Sequence, residues 1–537
     1  MTTNERLETL DAMRTKEFGT LPDLLRLHAR LAPRKTALIQ DAGQIEYAAL
    51  DRLVDRAAAA LQRDGIRPGD VVAICALNSI RYAVAFIAAL RAGAAVAPLA
   101  PLTTPEALGL MLDNCDAKIL LADGAGNGVA AAGQAARPLE AVGLDEATPF
   151  PAFDQWLAPQ GTAPAPVPAD PDAVFNIIYS SGTTGTPKGI VHTNRLRWPQ
   201  ICGGTLSAYQ PDSVTIVSTP LYSNTTLVSF LPALGGGGTV VLMKKFDPAG
   251  FLALAEKHRA TNAMLVPVQY RRLMEHPGFD RHDLSSFRIK FSTSAPFSAS
   301  LKAEVLRRWP GGLVEYYGMT EGGGSCMLLA HEHPDKLGSV GRPMDGHDIR
   351  IIDEDGVELP AGSIGEIVGH SPFMMTGYNK EPEKSAATIW TDPAGKRFIR
   401  TGDIGRFDED GFLTIMDRAK DTIISGGFNI YPSDIEAVLA QHEAVAEAAV
   451  VGVPSDRWGE TPIAVIVPNE GFTAVTADEI REWANARLGK TQRIAAAWLA
   501  SALPRNDIGK VSKRHLRDEY ARRAQQVEEA AGPAGAR

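Results

Sequence analysis

Short apolar runs alternate with longer segments of helical periodicity along the first part of the chain. Residues 71–75, 96–99 and 119–122 are apolar runs of strand length, whereas 50–64 and 80–90 have the apolar spacing of helices. This alternation predicts parallel sheets covered by helices. The pattern resumes at residue 174, and it predicts further strands at 214–218, 239–243, 263–266 and 288–292.

Between residues 123 and 171 the alternation is interrupted by a segment rich in Ala, Gly and Pro. The run TAPAPVP at 162–168 belongs to it. Because clusters of these residues are typical of loops, we predict a surface connection here.

After Gly341 the pattern changes to short strands separated by turn signals. The turn sequence DEDG occupies 353–356, and strands are predicted at 348–352, 364–369, 407–409 and 411–416. Such spacing indicates antiparallel structure, here a small barrel-like subdomain.

Beyond Asp417 the pattern is that of a compact α+β domain, with a helix near 433–441 and strands near 446–453 and 462–468. The predicted fold is therefore α/β, with a large N-terminal domain of helix-covered sheets at 1–419 that includes the barrel-like subdomain. A small mobile C-terminal domain follows at 420–537, and its tail beyond Val527 is expected to be disordered.

Composition and charge exclude several classes of protein. The chain has 537 residues, 45% of them apolar, and a net charge of -9. It is long enough for extensive cores and lacks the basic excess of a nucleic-acid-binding protein, so nucleic acid is not expected as a partner. The cysteines are too far apart for a disulfide scaffold or a zinc cluster, and they are Cys75, Cys115, Cys202 and Cys326.

The N-terminal segment MTTNERLETLDAMRTKEFG carries acids and has no apolar core, so it is not a secretory signal. The most apolar stretch, 82–90, falls short of the roughly 20 residues that span a bilayer, and it is predicted to be a buried helix. We expect a cytoplasmic protein with no membrane span.

Residues 179–189 read YSSGTTGTPKG, which predicts a phosphate-binding loop. Glycines allow the backbone to approach an anion closely, and hydroxyls donate to phosphate oxygens. The segment is not a Walker loop, because Lys188 is followed by Gly189 instead of Ser or Thr. A flexible linker has similar composition, but the flanking pairs 177–178 and 190–191 are apolar and favour strands.

This loop resembles the phosphate-loop signature of the adenylate-forming superfamily, which includes acyl-CoA synthetases, peptide-synthetase adenylation domains and luciferases. Further segments that resemble signatures of this family follow in order, namely YGMTE at 317–321, GSVGRP at 338–343, TGD at 401–403, DRAKD at 417–421 and PRNDIGK at 504–510. The resemblance covers nearly the whole chain, from near Leu21 to near Leu516. It implies ATP, Mg²⁺ and coenzyme A as cofactors.

The resemblance assigns roles around the nucleotide. Thr320 would contact the α-phosphate, Glu321 would hold Mg²⁺, and Tyr317 and Gly318 would form the adenine site. A turn between a buried aromatic residue and a helix N-terminus would also favour Thr and Glu. Phosphate contacts and catalysis are implied for the loop residues Ser180, Ser181, Gly182, Thr183, Thr184, Gly185 and Lys188.

The remaining nucleotide contacts are implied nearer the C-terminus. Asp403 would accept from both ribose hydroxyls, and Arg418 would reach the ribose or a phosphate, although a solvated turn also favours Gly-Asp. Lys510 would neutralise charge on the attacking carboxylate and the α-phosphate. The alternative for Lys510 is an exposed basic hairpin, because Lys513, Arg514 and Arg517 lie nearby.

Three implied features concern movement and regulation. Lys420 would be the hinge between an adenylating and a thioester-forming pose of the small domain, and Gly427 would let the pantetheine arm pass close to the backbone. Pro504 stands six residues before Lys510. This spacing resembles the recognition sequence of bacterial lysine acetyltransferases that act on acyl-CoA synthetases, so such an enzyme is a possible partner, as is a second copy of the chain.

The resemblance places the acyl pocket at three segments. Many relatives have an aromatic residue followed by His at the first of them, where this chain has Tyr222 and Ser223. The glycines after Glu321 leave volume for a bulky group, while the hydroxyls could bind a ring substituent or cap strand ends. The predicted lining residues are Tyr222, Ser223, Asn224, Thr225, Thr293, Ser294, Ala295, Gly322 and Gly323.

The sequence therefore predicts an AMP-forming acid–thiol ligase. It would activate a medium-sized aromatic, alicyclic or medium-chain aliphatic acid as acyl-AMP and transfer the acyl group to coenzyme A. One alternative is a stand-alone adenylating enzyme that uses a carrier-protein thiol or another acceptor, although no carrier domain follows Lys510 and no amino-group-binding Asp lies near Tyr222. Intact Thr320, Glu321, Asp403, Arg418 and Lys510 argue against a non-catalytic nucleotide-binding homologue.

Overall fold

We describe the protein from a computed structural model, which gives the structure of residues 3–180, 188–202, 208–418, 421–425, 428–455, 458–472, 475–489, 492–505 and 510–531. The helices in these ranges are α1 (Thr3–Arg14), α2 (Leu21–Leu31), α3 (Tyr47–Arg63), α4 (Ile80–Arg91), α5 (Pro105–Asn114), α6 (Gly128–Ala132), α7 (Phe153–Trp156), α8 (Asn194–Cys202), α9 (Asn224–Gly235), α10 (Pro248–Lys257), α11 (Pro267–Met274), α12 (Ala299–Arg308), α13 (Pro382–Ala387), α14 (Pro432–Leu439), α15 (Ala477–Asn485) and α16 (Lys513–Ala531).

The strands in the same ranges are β1 (Thr36–Gln40), β2 (Gly43–Glu46), β3 (Val71–Cys75), β4 (Ala95–Leu99), β5 (Ala117–Ala122), β6 (Glu140–Gly143), β7 (Val174–Ser180), β8 (Lys188–Thr193), β9 (Val214–Val217), β10 (Thr239–Leu242), β11 (Asn262–Leu265), β12 (Ile289–Ser292), β13 (Gly312–Gly318), β14 (Ser325–Leu329), β15 (Arg342–Pro343), β16 (Asp348–Ile352), β17 (Gly365–His370), β18 (Gly377–Tyr378), β19 (Ile389–Thr391), β20 (Arg397–Phe407), β21 (Leu413–Arg418), β22 (Ile423–Ser425), β23 (Phe428–Ile430), β24 (Val445–Ser455), β25 (Gly459–Pro468) and β26 (Ala496–Leu499).

The chain divides into two compact units. The first comprises Met1–Ile349 and Gly369–Ile399, and the second comprises Arg350–Val368 and Arg400–Arg537. The second unit thus includes residues that the sequence pattern assigns to the large domain. The functional boundary at 419/420 stays a prediction.

Two mainly parallel sheets form the centre of the first unit, in agreement with the predicted alternation. One has the strand order β15-β14-β13-β12-β11-β9-β10-β1-β2, and the other has the order β18-β8-β7-β4-β3-β5-β6. Every residue of β3 and β4 is buried, as expected for parallel strands with helices on both faces. The predicted buried helix is α4, whose Arg91 is paired with Asp51 at 2.6 Å and Asp55 at 2.9 Å. No helix in the described ranges is both long and apolar enough to cross a bilayer.

The surface connection predicted for residues 123–171 is interrupted by three short elements, α6, β6 and α7. β6 extends the second sheet as a parallel partner of β5, and Phe153 and Trp156 of α7 are buried. The Trp156 indole donates to Asp64 at 2.6 Å. Frequent Ala, Gly and Pro conceal these short elements, and the predicted exposed connection is found in the segments between them and in the proline-rich part after α7.

In the second unit a long hairpin joins β20 to β21. β20 begins in the first unit, where it pairs with β19, and its end pairs antiparallel with β21. The strand predicted at 407–409 ends at Phe407, the last residue of β20, because the chain turns from Asp408 onward. The carboxylate of Asp408 accepts the backbone N–H groups of Asp410 and Phe412, and this local turn competes with strand pairing.

The C-terminal part of the second unit is the predicted α+β structure. β24 and β25 pair antiparallel, β26 joins β25 in parallel, and the β22–β23 hairpin pairs with β25. α14 and α15 pack on one apolar cluster that includes Ile435 and Ile480, while Leu516 of α16 packs on another. α16 extends to Ala531, so the tail predicted to begin after Val527 is helical for four of its residues; the rest of the tail lies outside the described residues.

We expect the buried His28 of α2 to make stability depend on pH. Its Nε2 lies 2.9 Å from the carbonyl oxygen of Gly235, and burial lowers its pKa from 6.5 to about 4. Because the unfolded chain binds the proton more tightly, the free energy of unfolding has its full value above pH 6.5. It falls as pH drops from 6.5 toward 4, by about 3 kcal/mol for a pKa shift of this size. The thermal midpoint of His28→Gln should fall less steeply over this interval than that of the wild type, while the exposed control His515→Gln should follow the wild type. Parallel curves for His28→Gln and wild type would contradict the assignment.

Candidate active site

The predicted phosphate loop connects the ends of two adjacent strands. Ser180 at the end of β7 is paired with Lys188 at the start of β8. The loop residues Ser181, Gly182, Thr183, Thr184 and Gly185 lie outside the described residues. Just before the loop, the Tyr179 hydroxyl donates to Asn114 at 2.7 Å, so its entrance is anchored to α5.

Lys188 and Glu321 both contact one tyrosine, Tyr378. The Nζ atom of Lys188 is 5.0 Å from the centre of the Tyr378 ring, and the Tyr378 hydroxyl donates to Oε1 of Glu321 at 2.9 Å. Burial, followed by the charge of Glu321, raises the pKa of Tyr378, so the phenol remains a donor. The structure thus brings two predicted catalytic residues together through Tyr378, which sequence reasoning missed because no motif contains it.

The turn that carries Thr320 and Glu321 joins β13 to β14. Tyr317 is opposite Cys326 and Gly318 is opposite Ser325 in this antiparallel pair. A residue distant in sequence also holds this turn, since the Met375 N–H donates to the Glu321 carbonyl at 2.9 Å.

The two glycines after Glu321 are explained by close packing. Gly322 has φ +75°, and a Cβ atom there would lie 2.0 Å from the Phe373 carbonyl oxygen. A Cβ at Gly323 would lie 2.9 Å from Cβ of Ile399. The protein itself fills the side where a side chain would stand, and the role of both residues in the acyl pocket stays a prediction.

Behind Thr320 lies a buried polar network that sequence reasoning also missed. His192 Nε2 is 2.7 Å from the Thr320 carbonyl oxygen, and its Nδ1 accepts from Arg197 Nη2 at 2.8 Å. Burial and the charge of Arg197 hold the pKa of His192 well below its ordinary value, so the ring is neutral with its proton on Nε2. The sequence signal was weak, because both residues lie in an unremarkable strand-to-helix segment.

Two of the predicted acyl-pocket segments are in contact. The Thr225 hydroxyl of α9 is 2.5 Å from that of Ser294, which follows β12 and has φ +80°. Thr293 and Ala295 flank Ser294, and Tyr222, Ser223 and Asn224 directly precede Thr225. The structure therefore brings the segments 222–225 and 293–295 together.

The predicted residues of the second unit form two groups. Asp403 on β20 is directly opposite Arg418 on β21. Lys510 lies in a loop whose ends are joined by a bridge between Arg505 and Val511 and by the Ser512 N–H, which donates to the Pro504 carbonyl at 2.8 Å. Lys420 and Gly427 lie outside the described residues.

Two cavities of the first unit are not part of this site. One of about 630 Å³ lies between α1 and α2, and one of about 450 Å³ lies beside the proline-rich segment that contains Val167. None of the predicted site residues lines either cavity.

Comparison with known proteins identifies the family. Residues 25–379 match the AMP-binding enzyme family, and residues 434–510 match the AMP-binding enzyme C-terminal domain. A feruloyl-CoA synthase from Amycolatopsis sp is 34% identical over 514 residues, which cover 95% of this chain and 100% of that protein. An indoleacetate–CoA ligase from Aromatoleum aromaticum is 34% identical over 521 residues, which cover 94% of this chain and 98% of that protein.

A solved structure gives the same result for the fold. The amide bond synthetase McbA from Marinactinospora thermotolerans superposes with a TM-score of 0.82 at 28% identity, over 93% of this chain and 100% of that one. The predicted α/β fold class and the predicted superfamily are both confirmed. The chain belongs to the AMP-binding enzyme family, the adenylate-forming superfamily that its ordered motifs predict.

Proposed function

We propose that the chain is an ATP-dependent acyl-CoA ligase that activates an aromatic carboxylic acid. The observation that carries the proposal is the cluster of Lys188, Tyr378 and Glu321, which joins the phosphate-loop strand to the Thr320–Glu321 turn. The aromatic substrate and the CoA acceptor are supported by the names of the feruloyl-CoA synthase and the indoleacetate–CoA ligase.

The reaction has two balanced steps. A carboxylate oxygen attacks the α-phosphorus of ATP, the bond to the bridging oxygen breaks, and pyrophosphate leaves with the electron pair. The thiolate of coenzyme A then attacks the acyl carbonyl carbon, and AMP leaves. Because the charges lie on phosphates, we assign the protein mainly to positioning and charge stabilisation.

Each predicted residue has a defined task in this scheme. Thr320 binds the α-phosphate, and Lys188 and Lys510 offset negative charge on the phosphates and the carboxylate. The ribose is held by Asp403, with Arg418 opposite it in the strand ladder. Tyr317 and Gly318 border adenine.

Glu321 fits a magnesium site. Its Oε1 accepts from Tyr378, and its carboxylate is a hard oxygen ligand of the kind that Mg²⁺ takes together with substrate phosphates. No cluster of three or more His, Cys, Asp or Glu side chains suited to a metal occurs among the described residues. Mg²⁺ commonly completes its coordination with substrate phosphate oxygens and water. When bound, Mg²⁺ would neutralise charge on the phosphates.

The acid and the acceptor can be tested together. A panel of aromatic, alicyclic and medium-chain acids is screened for pyrophosphate release with and without coenzyme A. The proposal predicts highest rates for aromatic acids and faster turnover with coenzyme A. Release that depends on a carrier protein or on an amine instead of coenzyme A would favour an adenylating enzyme with another acceptor.

The pocket assignment predicts that Ser223→Leu changes the ranking of acids. Ser223 precedes α9 and makes no side-chain cap bond, so the substitution should leave the helix start intact. The added bulk should alter the ratio of kcat/KM for a large and a small acid by about 10-fold, with little change in KM for ATP. A changed KM for ATP with an unchanged acid ranking would place Ser223 elsewhere.

Three further predictions stay open to direct measurement. Modification of Lys510 by a lysine acetyltransferase would remove the charge that adenylation needs. Mass spectrometry after incubation with such an enzyme and acetyl-CoA detects it. Dimerisation and the cytoplasmic location rest on sequence expectation.

A further inference from the structure

Arg197 of α8 is a buried guanidinium in the first unit. The residue is 1% exposed, and four of its N–H groups donate to neutral acceptors. Nε donates to Asn176 Oδ1 at 3.0 Å and Nη1 donates to Gln200 Oε1 at 2.8 Å. Nη2 donates to both His192 Nδ1 and Asn224 Oδ1, each at 2.8 Å. No carboxylate within the described ranges forms an ion pair with it.

A buried charge is costly unless an opposite charge or a strong dipole balances it. Elsewhere in this unit that balance is present. Arg91 is paired with two aspartates, and the buried Lys302 is paired with Glu315. Lys290 has no acid partner in the part of the chain that the structure describes, but it donates to three backbone carbonyls, those of residues 309–311. Burial lowers the pKa of Arg197 to about 9, with no acid to offset this effect.

The unbalanced charge lies between two predicted substrate-binding segments. The guanidinium donates to Asn224, which is the first residue of α9. On its other side it donates to His192, whose Nε2 is bonded to the Thr320 carbonyl. The start of α9 adds positive potential, since the Ser223 side chain makes no cap bond to its first turn. Two sources of positive field therefore meet at Asn224.

The same bonds fix the orientation of both neighbours. Arg197 can only donate, so Asn224 turns its oxygen toward the guanidinium and its NH₂ group away from it. His192 accepts a hydrogen bond on Nδ1 and therefore donates one from Nε2 to the Thr320 carbonyl. The buried Arg197 thus orients the NH₂ group of Asn224 and the Nε2–H group of His192.

We propose that the anion that balances Arg197 is the carboxylate of the acid substrate, and that Arg197 is a positioning residue that draws this carboxylate to Asn224 and Thr320. The inference rests on the proposed function and adds a specificity determinant to it. It predicts that the site prefers a carboxylate over an uncharged group of the same shape because of a residue that the substrate does not touch.

The test compares charged and uncharged ligands on matched variants. The ligands are the acid most active in the pyrophosphate screen, its primary carboxamide, and ATP. Arg197→Gln removes the charge, Arg197→Lys retains it, and Arg197→Met is a second neutral variant in case the first is unstable. The control is Arg195→Gln, because Arg195 lies on the same helix, is exposed, and pairs with Asp172 at 3.0 Å.

We expect the neutral variants to weaken acid binding by about 10- to 100-fold. Binding of the carboxamide and of ATP should change less than about twofold, and Arg197→Lys should retain acid affinity within about threefold. Arg195→Gln should match the wild type. Melting temperatures confirm that the compared variants are folded.

Three outcomes would overturn the inference. An unchanged acid affinity in both neutral variants would show that the charge of Arg197 does not contribute to acid binding. An equal loss of affinity for the acid and the carboxamide would show that Arg197 only shapes the pocket. Loss of ATP affinity with acid affinity retained would make a phosphate the balancing anion. If the wild-type protein activates no acid in the screen, the proposed function itself is wrong. That result differs from the three outcomes above, which all require an active wild type.

Discussion

Lys510→Ala should abolish the first half-reaction and spare the second. In the proposed mechanism the Lys510 ammonium stabilises the negative charge that develops at the α-phosphate, so its removal should lower pyrophosphate release by about 100- to 1,000-fold or more. Thioester formation from supplied acyl-AMP should remain near the wild-type rate, because the account gives Lys510 no role in it. Both half-reactions are measured separately, by pyrophosphate release and by acyl-CoA formation.

The control for this variant is Arg514→Ala. Arg514 is exposed on the first turn of α16, four residues from Lys510. If Lys510 were only part of an exposed basic hairpin, the two variants would behave alike. Equal loss of both half-reactions in Lys510→Ala would also contradict the assignment.

Glu321→Gln should have the second large effect. Glutamine keeps the shape and can still accept from Tyr378, but it lacks the charge that Mg²⁺ requires. Adenylation should fall by about 100- to 1,000-fold, and more Mg²⁺ should be needed for half-maximal rate.

Tyr378→Phe separates the charge of Glu321 from its orientation. This variant removes one hydrogen bond of 2.9 Å and leaves the carboxylate in place. The loss should be only about 3- to 10-fold, as for a single neutral donor. Comparable losses in Glu321→Gln and Tyr378→Phe would mean that Glu321 serves the turn and does not hold the metal.

The elements that were predicted well are those whose pattern and burial agree. β3 and β4 are continuous apolar runs and α4 is mostly apolar, and all three are largely buried, so the hydrophobic pattern alone places them. β6 and α7 were missed because small residues and prolines dilute the apolar signal, although Phe153 and Trp156 are fully part of the core. At residues 408–412 a local aspartate turn overrides strand periodicity.

The candidate site divides in the same way. Motif residues such as Thr320 and Asp403 are assigned from the sequence because they stand in short ordered blocks, and their roles stay predictions. Tyr378 and Arg197 cannot, since their roles depend on contacts with residues that are far apart in the chain. The glycines after Glu321 suggested open volume, yet Phe373 and Ile399 fill the space beside them. Only the folded chain reveals that packing.

The central claim is that one protein activates an aromatic acid as acyl-AMP and passes it to coenzyme A. The most direct test follows both species by mass spectrometry in one sample that contains enzyme, Mg²⁺, ATP and the best aromatic acid, with coenzyme A added later. The account predicts that acyl-AMP forms first and then decays as acyl-CoA and AMP appear in equal amounts. Acyl-AMP that persists after coenzyme A is added, or acyl-CoA that forms without AMP, would contradict it.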